Sequence, residues 1–225
     1  MLFRIPATPI TASADRIKDE PMLFSADPHF AFENGGPLTR AVLTKLTQRG
    51  KILADQHVVI DTRVHMLKPG WIPAIGGWHC DAVPRGADGQ PELDHPAIDG
   101  IQHFLCVIDC GTGSLTEFWD APHIIRRLPK KASPGKNLWG EHSEMINLSI
   151  QMVVPYGGDP KRWITTCQSG EIYEFNARDY HRAIPATGDG WRFFFRASVN
   201  TLTKGPLNEI RKQVQVYMPH EDFGW

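Results

Sequence analysis

The chain has 225 residues, a formal net charge of −1 and 41% hydrophobic residues. This hydrophobic content excludes a largely disordered protein, and the near-zero charge excludes a polyelectrolyte that binds nucleic acid through its overall charge. No apolar run approaches the roughly 18 residues of a membrane-spanning helix. The N-terminal stretch, broken by Pro6 and Pro9, does not have the pattern of a signal peptide. We therefore expect a cytoplasmic protein.

Two elements are expected in residues 1–56. Residues 1–30 contain several prolines and are predicted to be an irregular lead-in. A helix follows that begins at Pro37 and stops at Gly50, since proline suits the first helical position and glycine the C-terminal end. Its apolar residues form one stripe, as expected of a helix that covers a core: Leu38, Ala41, Val42 and Leu46.

Short strands dominate the sequence from residue 57 onward. Turn residues separate segments that are rich in β-branched and aromatic residues. The predicted strands are 57–67, 101–110, 114–120, 147–156, 162–168, 171–175 and 191–199, with a late edge strand at 212–218. This order predicts a mainly β fold, a double-sheet jelly roll or barrel with helical cover on one face. We expect one domain over 1–225, with its core at 57–200 and a tail at 201–225.

The four cysteines are too few and too scattered for a disulfide scaffold. Cys106 and Cys110 could form half of a zinc site, but no second close pair of Cys or His residues matches them. The sequence favours buried, reduced thiols.

The stretch "GGWHCDAV" at 76–83 places a histidine and an aspartate two residues apart. Side chains alternate along a strand, so His79 and Asp81 share one face and Cys80 points to the other. By themselves they could form a strand-end ion pair. They are also two of the three ligands in a 2-His-1-carboxylate metal site, which needs a second histidine from elsewhere.

The best candidate for that second histidine is His181. It follows the strand at 171–175 through polar turn residues and precedes the strand at 191–199. His142, beside Glu141 and Glu144, is an alternative metal ligand.

The strand at 191–199 has two unlike faces. Five apolar residues occupy one face and are expected to pack beneath helices: Trp191, Phe193, Phe195, Ala197 and Val199. The other face carries Arg192, Phe194, Arg196 and Ser198 and is expected to point into the barrel. Two guanidinium groups there need anionic partners.

These motifs resemble the Fe(II)/2-oxoglutarate-dependent dioxygenases, in particular the phytanoyl-CoA hydroxylase-like group. "WHCD" at 78–81 is similar to the group's Trp-His-x-Asp, and His181–Arg182 to its His-Arg pair, with Arg192 eleven residues after His181. Gly170–Glu171 stands where the group has Gly-Asp. The resemblance covers roughly residues 58–200 and is lost between 121 and 146.

The resemblance implies a double-stranded β-helix, or cupin-like jelly roll, that uses Fe(II), 2-oxoglutarate and O2. His79, Asp81 and His181 would be the catalytic metal ligands. Arg192 would bind the distal carboxylate of 2-oxoglutarate, with Arg196 as the competing candidate and Ser198 as an assisting group. The expected reaction releases succinate and CO2 and hydroxylates a small-molecule or anionic substrate. Alternatives are a non-catalytic cupin-type jelly roll that binds a metal or a sugar, and a zinc hydrolase with the same ligands.

A basic segment, "IIRRLPKKASPGK" at 124–136, is the remaining unusual feature. It contains five basic residues and no acidic one: Arg126, Arg127, Lys130, Lys131 and Lys136. Such a segment is usually a solvated loop. The more specific interpretation is a lid over an anionic substrate. A nucleic-acid substrate has little support, because no basic groove interleaved with aromatic residues accompanies the segment.

Overall fold

The computed structural model describes residues 2–53, 56–74, 76–121, 125, 127–153, 159–202 and 205–218. Its strands are β1 (Phe3–Ile5), β2 (Met22–Phe24), β3 (Val58–Leu67), β4 (Gln102–Cys110), β5 (Thr116–Trp119), β6 (Ile164–Thr166), β7 (Ile172–Asn176), β8 (Tyr180–Ala183), β9 (Gly190–Val199) and β10 (Glu209–Arg211). Its helices are α1 (Ala14–Lys18), α2 (Pro28–Asn34), α3 (Pro37–Gln48) and α4 (Leu138–Val153), with short 3-10 turns at Pro96–Gly100 and Pro160–Trp163.

Two antiparallel sheets form the body of the molecule. The larger sheet has the strand order β1-β7-β4-β9-β3 and the smaller one β6-β5-β8, while β2 and β10 form a separate ribbon. Side chains from both sheets meet in one buried cluster that includes Val107, Phe118 and Phe175. The fold is therefore mainly β, a double-sheet jelly roll, as the sequence predicts.

The outer face of the larger sheet carries the main hydrophobic core. Phe193, Phe195 and Ala197 of β9 are fully buried there together with Ile17 of α1 and Val42 of α3. Each fully buried large apolar side chain stabilises the contact between the sheet and the helices by about 1.5–3 kcal/mol. The expectation that this face lies beneath helices is confirmed, and the opposite face of β9 is turned toward the smaller sheet.

Most of the predicted strands are present, with small shifts at their ends. The helix predicted from Pro37 is α3, and Gly50 beyond its end has a φ of 64°, a left-handed conformation that glycine adopts without strain. The segment 162–168 is divided between the 3-10 turn and β6.

Three sequence predictions of secondary structure are wrong. Residues 147–153 belong to helix α4 rather than to a strand, and 154–156 lie outside the described residues. Leu138 and Ile146 of α4 are buried, and Trp139 and Ile150 are partly buried. The apolar residues therefore repeat with a helical period, and this period begins before residue 147, where the predicted strand started. Residues 1–30, predicted to be irregular, contain β1, α1, β2 and the start of α2.

The third error concerns the tail. The late strand lies at 209–211, where β10 pairs with β2, and not at 212–218. Within 212–218 Tyr217 forms an isolated bridge with Ile72. Gln213, Val214, Gln215 and Tyr217 of this segment line the large cavity that is described with the candidate metal centre.

Candidate metal centre

The two predicted histidine ligands lie directly opposite each other. His79 and His181 form an isolated antiparallel bridge, with backbone N–H···O distances of 3.1 and 3.0 Å. Their ring centroids are 4.7 Å apart. A directly opposed pair places its side chains on the same face, so the bridge brings together two residues that are far apart in sequence. The bridge also extends the smaller sheet beyond β8, which is the strand that carries His181 and which the sequence pattern did not predict.

Asp81 lies on the same side of its segment as His79, as the alternation of side chains predicts, and its carboxylate is close to both histidines. One ligand atom from each of His79, Asp81 and His181 lies within 4.8 Å of the other two. Cys80 between them is buried on the opposite side, in a cluster with Trp78 and Trp119. Ala82 then adopts a φ of 55°, which ends the extended segment. Within the described residues, no other group of His, Cys, Asp and Glu side chains converges in this way.

Hydrogen bonds orient both imidazole rings toward the aspartate. Nδ1 of His79 donates to the carbonyl of Gly77, and Nδ1 of His181 donates to the carbonyl of Asp179, each at 3.0 Å. Since a carbonyl only accepts, both Nδ1 atoms carry a proton, which leaves Nε2 of each ring as the nitrogen that can bind a metal ion. Nε2 of His181 lies 3.2 Å from Asp81 Oδ2, and Nε2 of His79 lies 4.0 Å from Asp81 Oδ1.

This donor set suits a divalent metal ion. Metal-bound histidines donate their other ring N–H to a backbone carbonyl or a carboxylate, which fixes the tautomer that the metal requires. Burial, followed by the neighbouring His181, lowers the pKa of His79, which keeps its imidazole neutral and able to bind a cation. Two imidazole nitrogens and one carboxylate oxygen on one face match the ligand set of non-haem Fe(II) sites.

Arg196 holds the carboxylate of Asp81, the predicted third ligand, in position. Its Nη1 donates to Asp81 Oδ2 at 2.5 Å and its Nη2 to Asp61 Oδ2 at 2.9 Å. Burial alone would raise the pKa of Asp81, but the charges of Arg196 and His181 hold it well below its ordinary value. Asp81 is therefore ionised throughout the neutral range, as a metal ligand must be.

Helix α4 positions the segment before His79. Ser143 Oγ accepts a hydrogen bond from the backbone N–H of Trp78 at 2.6 Å, and Asn147 Oδ1 accepts one from Trp78 Nε1 at 3.1 Å. Gly77 has a φ of 99°, and a Cβ there would lie 2.7 Å from Ser143 Oγ. Only glycine fits this close contact, which places the carbonyl that His79 uses.

His142 has a structural role and is not part of the metal cluster. Its Nε2 donates to the carbonyl of Pro129 at 2.7 Å, so its Nδ1 accepts from the hydroxyl of Tyr180 at 2.8 Å. Both ring nitrogens of this fully buried histidine are satisfied, and the interaction fastens α4 to the strand that carries His181.

The three predicted cosubstrate residues lie on the inner face of β9 in different surroundings. Arg196 is engaged by the two aspartates described above. Ser198 Oγ is 2.8 Å from Nδ1 of the buried His103 and is not among the residues that line the cavity. Arg192 lines the cavity and is 2% exposed, and its one hydrogen bond to the described residues runs from Nε to the carbonyl of Ser114 at 2.7 Å.

A cavity of about 1090 Å³ opens above the histidines and the aspartate. The sequence prediction missed several residues that line it, among them Arg63 and His65 of β3 and Arg211 of β10. Arg63 and His65 fall on the inner face of β3 by simple alternation, which is the signal that could have identified them. Nothing in the sequence pattern of the tail indicated that Arg211 reaches the same cavity.

The basic segment lies beside the cavity and not on its wall. None of the described residues between 127 and 136 lines it, whereas Asn137 and Trp139, directly after the segment, do. Lys130 pairs with Asp94 at 2.9 Å, and Arg126 lies outside the described residues. A lid formed by this segment stays a prediction.

The cysteines are unpaired. Cys106 is buried and Cys110 partly buried against the main core, and neither joins a metal-binding group in the part of the chain that the structure describes. Burial raises the pKa of Cys106 to about 12, so its thiol stays protonated. This agrees with buried, reduced thiols. The described residues also contain no helix long and apolar enough to cross a membrane.

Comparisons with known proteins found similar folds at low sequence identity. No protein-family model matches the chain, and a search of curated proteins found no significant match. A non-heme monooxygenase, ThoJ, in its apo form is 13% identical, with a TM-score of 0.40 over 84% of this chain and 76% of that one. The Kdo hydroxylase KdoO with succinate and Fe(III), a non-heme Fe(II) alphaketoglutarate-dependent dioxygenase, is 13% identical, with a TM-score of 0.36 over 99% and 89%.

A third similar structure is an N-substituted L-amino acid dioxygenase from Burkholderia ambifaria AMMD. It is 14% identical, with a TM-score of 0.30 over 61% of this chain. The chain spans about half of that protein, 47% of its length. KdoO belongs to the superfamily that the sequence motifs resemble, whereas none of these three is described as a phytanoyl-CoA hydroxylase, so that closer assignment stays a prediction. Scores this low do not transfer an activity, which has to be argued from the residues of the site.

Proposed function

We propose that this chain is an Fe(II)- and 2-oxoglutarate-dependent oxygenase that hydroxylates a small molecule and releases succinate and CO2. One observation carries the proposal: one ligand atom from each of His79, Asp81 and His181 lies within 4.8 Å of the other two, and backbone carbonyls anchor both histidines through Nδ1. When bound, iron and 2-oxoglutarate supply the oxidising chemistry with O2. The protein supplies ligation, orientation and a cavity that limits water.

Each ligand residue has a defined part in this site. A backbone carbonyl accepts from Nδ1 of both His79 and His181, so Nε2 of each ring would be the atom that binds the metal. Asp81 is ionised and is held in position by Arg196, so the negative charge that binds the metal is fixed before the metal arrives. Phe118 and Phe175, with centroids 5.4 and 5.1 Å from that of His181, restrict the ring.

Arg192 is proposed to bind the distal carboxylate of 2-oxoglutarate. The guanidinium is buried and lines the cavity, and its two terminal nitrogens form no hydrogen bond to the described residues. Burial lowers the pKa of Arg192 to about 10, so the group is still charged at neutral pH. A planar guanidinium can bind a carboxylate through two parallel hydrogen bonds. A guanidinium that can bind a carboxylate in this way favours an oxygenase over a zinc hydrolase, because a hydrolase that uses water as its nucleophile needs no such group.

An anaerobic titration tests the proposed function. Adding Fe(II) and then 2-oxoglutarate to the metal-free protein is expected to produce a visible metal-to-ligand charge-transfer band with one equivalent of each. Succinate release in air, measured against a panel of small acids, amides and sugars, then identifies substrates. A site that binds zinc but gives no band with Fe(II) and 2-oxoglutarate would support the hydrolase or the non-catalytic alternative.

A further inference from the structure

The cavity above the metal centre has an unbalanced charge. Among its described lining residues five are arginines and one is acidic: Arg63, Arg85, Arg192, Arg196 and Arg211, against Asp81. The charge of Arg196 is matched by Asp61, with which it pairs. Fe(II) with Asp81, together with Arg192, would match the two charges of 2-oxoglutarate. The remaining arginines then have no anionic counterpart on the cavity wall.

Arg63 is the central member of this group. It is half-buried on β3, between Asp61 and His65 on the inner face, and it forms no hydrogen bond or ion pair with the described residues. Its guanidinium carbon lies 5.8 Å from the ring centroid of Phe194. Asp61, the nearest acid in sequence, is already occupied, because Oδ1 accepts from the backbone of Ser25 at 3.2 Å and Oδ2 accepts from Arg196.

Arg211 approaches the same cavity from the tail. Its guanidinium carbon lies 3.6 Å from the ring centroid of Phe24, which holds the planar group by a cation–π interaction and leaves its edge free. It too has no ion pair with the described residues. Burial and the charges of Arg196 and Arg211 lower the pKa of Arg63, and the charges of Asp61 and Asp81 offset part of this effect. Arg63 and Arg211 line the same cavity. Two partly desolvated guanidinium groups that face one space are stabilised by an anion between them.

We propose that Arg63 and Arg211 bind an oxyanion group of the prime substrate, so that the substrate is a small organic acid bearing a carboxylate, sulfonate or phosphate. That the bound anion is a substrate rests on the proposed function. The existence of the anion site does not depend on turnover. Arg63 stands opposite Phe194 and Arg192 stands opposite His65, so the two arginines are diagonal neighbours on one face of the sheet. The Arg192→Gln variant below separates the two anion positions. The neighbouring Phe194 and Trp139 give the rest of such a substrate apolar surface.

The test uses two probes that differ only in charge. Benzenesulfonate carries the anion, and methyl phenyl sulfone is its neutral isostere. Binding is measured by calorimetry on the full chain loaded anaerobically with Fe(II) and saturating 2-oxoglutarate. We expect benzenesulfonate to bind at least tenfold more tightly than the sulfone, with the charge-transfer band retained. Arg63→Gln and Arg211→Gln should each weaken sulfonate binding about tenfold, while Arg49→Gln, at an exposed position after α3, should not.

Two further measurements keep the outcomes distinguishable. Arg63→Lys keeps the charge but loses the planar fork, and is expected to bind the sulfonate with intermediate affinity. In metal-free Arg192→Gln protein, the sulfonate should still bind and remain sensitive to Arg63→Gln, which would uphold the anion site even if no band with 2-oxoglutarate ever forms. Equal binding of the two probes, or unchanged sulfonate binding in both the Arg63→Gln and Arg211→Gln variants, would overturn the inference.

Discussion

Arg196 and Asp81 are joined by a hydrogen bond of 2.5 Å between Nη1 and Oδ2, across 115 positions of sequence. The register of the larger sheet places Arg196 directly opposite Asp61 of β3, and the two terminal nitrogens of Arg196 reach the carboxylates of Asp81 and Asp61. The pair assigns different roles to two arginines that share a strand face. Arg196 holds the carboxylate of Asp81, the proposed metal ligand, whereas the terminal nitrogens of Arg192 form no hydrogen bond to the described residues.

The first prediction concerns 2-oxoglutarate. Arg192→Lys keeps the charge but loses the bidentate geometry, so 2-oxoglutarate binding should weaken by about 1.5–3 kcal/mol while Fe(II) is retained. Titration of the charge-transfer band measures this. Arg196→Lys is the matched variant and should instead lower Fe(II) affinity, because Asp81 loses its anchor. Normal 2-oxoglutarate affinity in the Arg192 variant, with a collapse in the Arg196 variant, would transfer the role to Arg196.

The second prediction concerns the metal ligands. His79→Ala, Asp81→Ala and His181→Ala should each abolish Fe(II)-dependent turnover of 2-oxoglutarate, because a facial site that loses one of three ligands holds the metal weakly. Metal content of the folded variants, with circular dichroism as the control for folding, checks this. An unchanged iron stoichiometry in all three variants would rule out the site. Asp81→Ala should also destabilise the metal-free protein, since it leaves Arg196 buried with Asp61 as its one carboxylate partner.

The third prediction uses Cys80 as a neighbour of the ligands that lies on the other side of the strand. Burial raises the pKa of this thiol well above its ordinary value, so it is neutral and packs as an apolar group against Trp78 and Trp119. Cys80→Ser should therefore keep full iron stoichiometry and lose at most about 1 kcal/mol of stability. Loss of metal binding in this variant would mean that the alternation of side chains around Asp81 is wrong.

The fourth prediction concerns stability in acid. Burial, followed by the charges of Arg192 and Arg63, lowers the pKa of His65 from 6.5 to about 3. Below pH 6.5 the unfolded chain binds a proton at this residue that the folded protein does not, so folding stability falls as the pH decreases toward 3. At pH 5 the loss should be about 1–2 kcal/mol.

Urea denaturation of metal-free protein at pH 7.5 and pH 5 measures that loss. His65→Gln removes the titrating group and should reduce the difference between the two pH values. His29→Gln, at a side chain that is 83% exposed, is the control and should leave the difference as in the parent. An identical acid dependence in the parent and the His65 variant would contradict the prediction.

The sequence by itself determined the parts of the site that follow from local alternation. Because side chains in an extended chain change face at every residue, His79 and Asp81 had to share a face, Cys80 had to oppose them, and β9 had to separate five apolar residues from Arg192 and Arg196. The same rule indicated a mainly β fold. It failed at α4, where the strand interpretation rested on a short apolar window and missed a helical period that begins at Leu138.

Only the tertiary structure decided which distant residues meet. The bridge between His79 and His181 depends on backbone hydrogen bonds between segments about a hundred residues apart, and no local pattern encodes that register. The pairing of Arg196 with two aspartates and the placement of Arg211 on the same cavity as Arg63 likewise arise from strand pairing and from the path of the tail. Alternation fixes the face on which a side chain lies, but the contacts it makes depend on which strands become neighbours, and that is settled by packing over the whole chain.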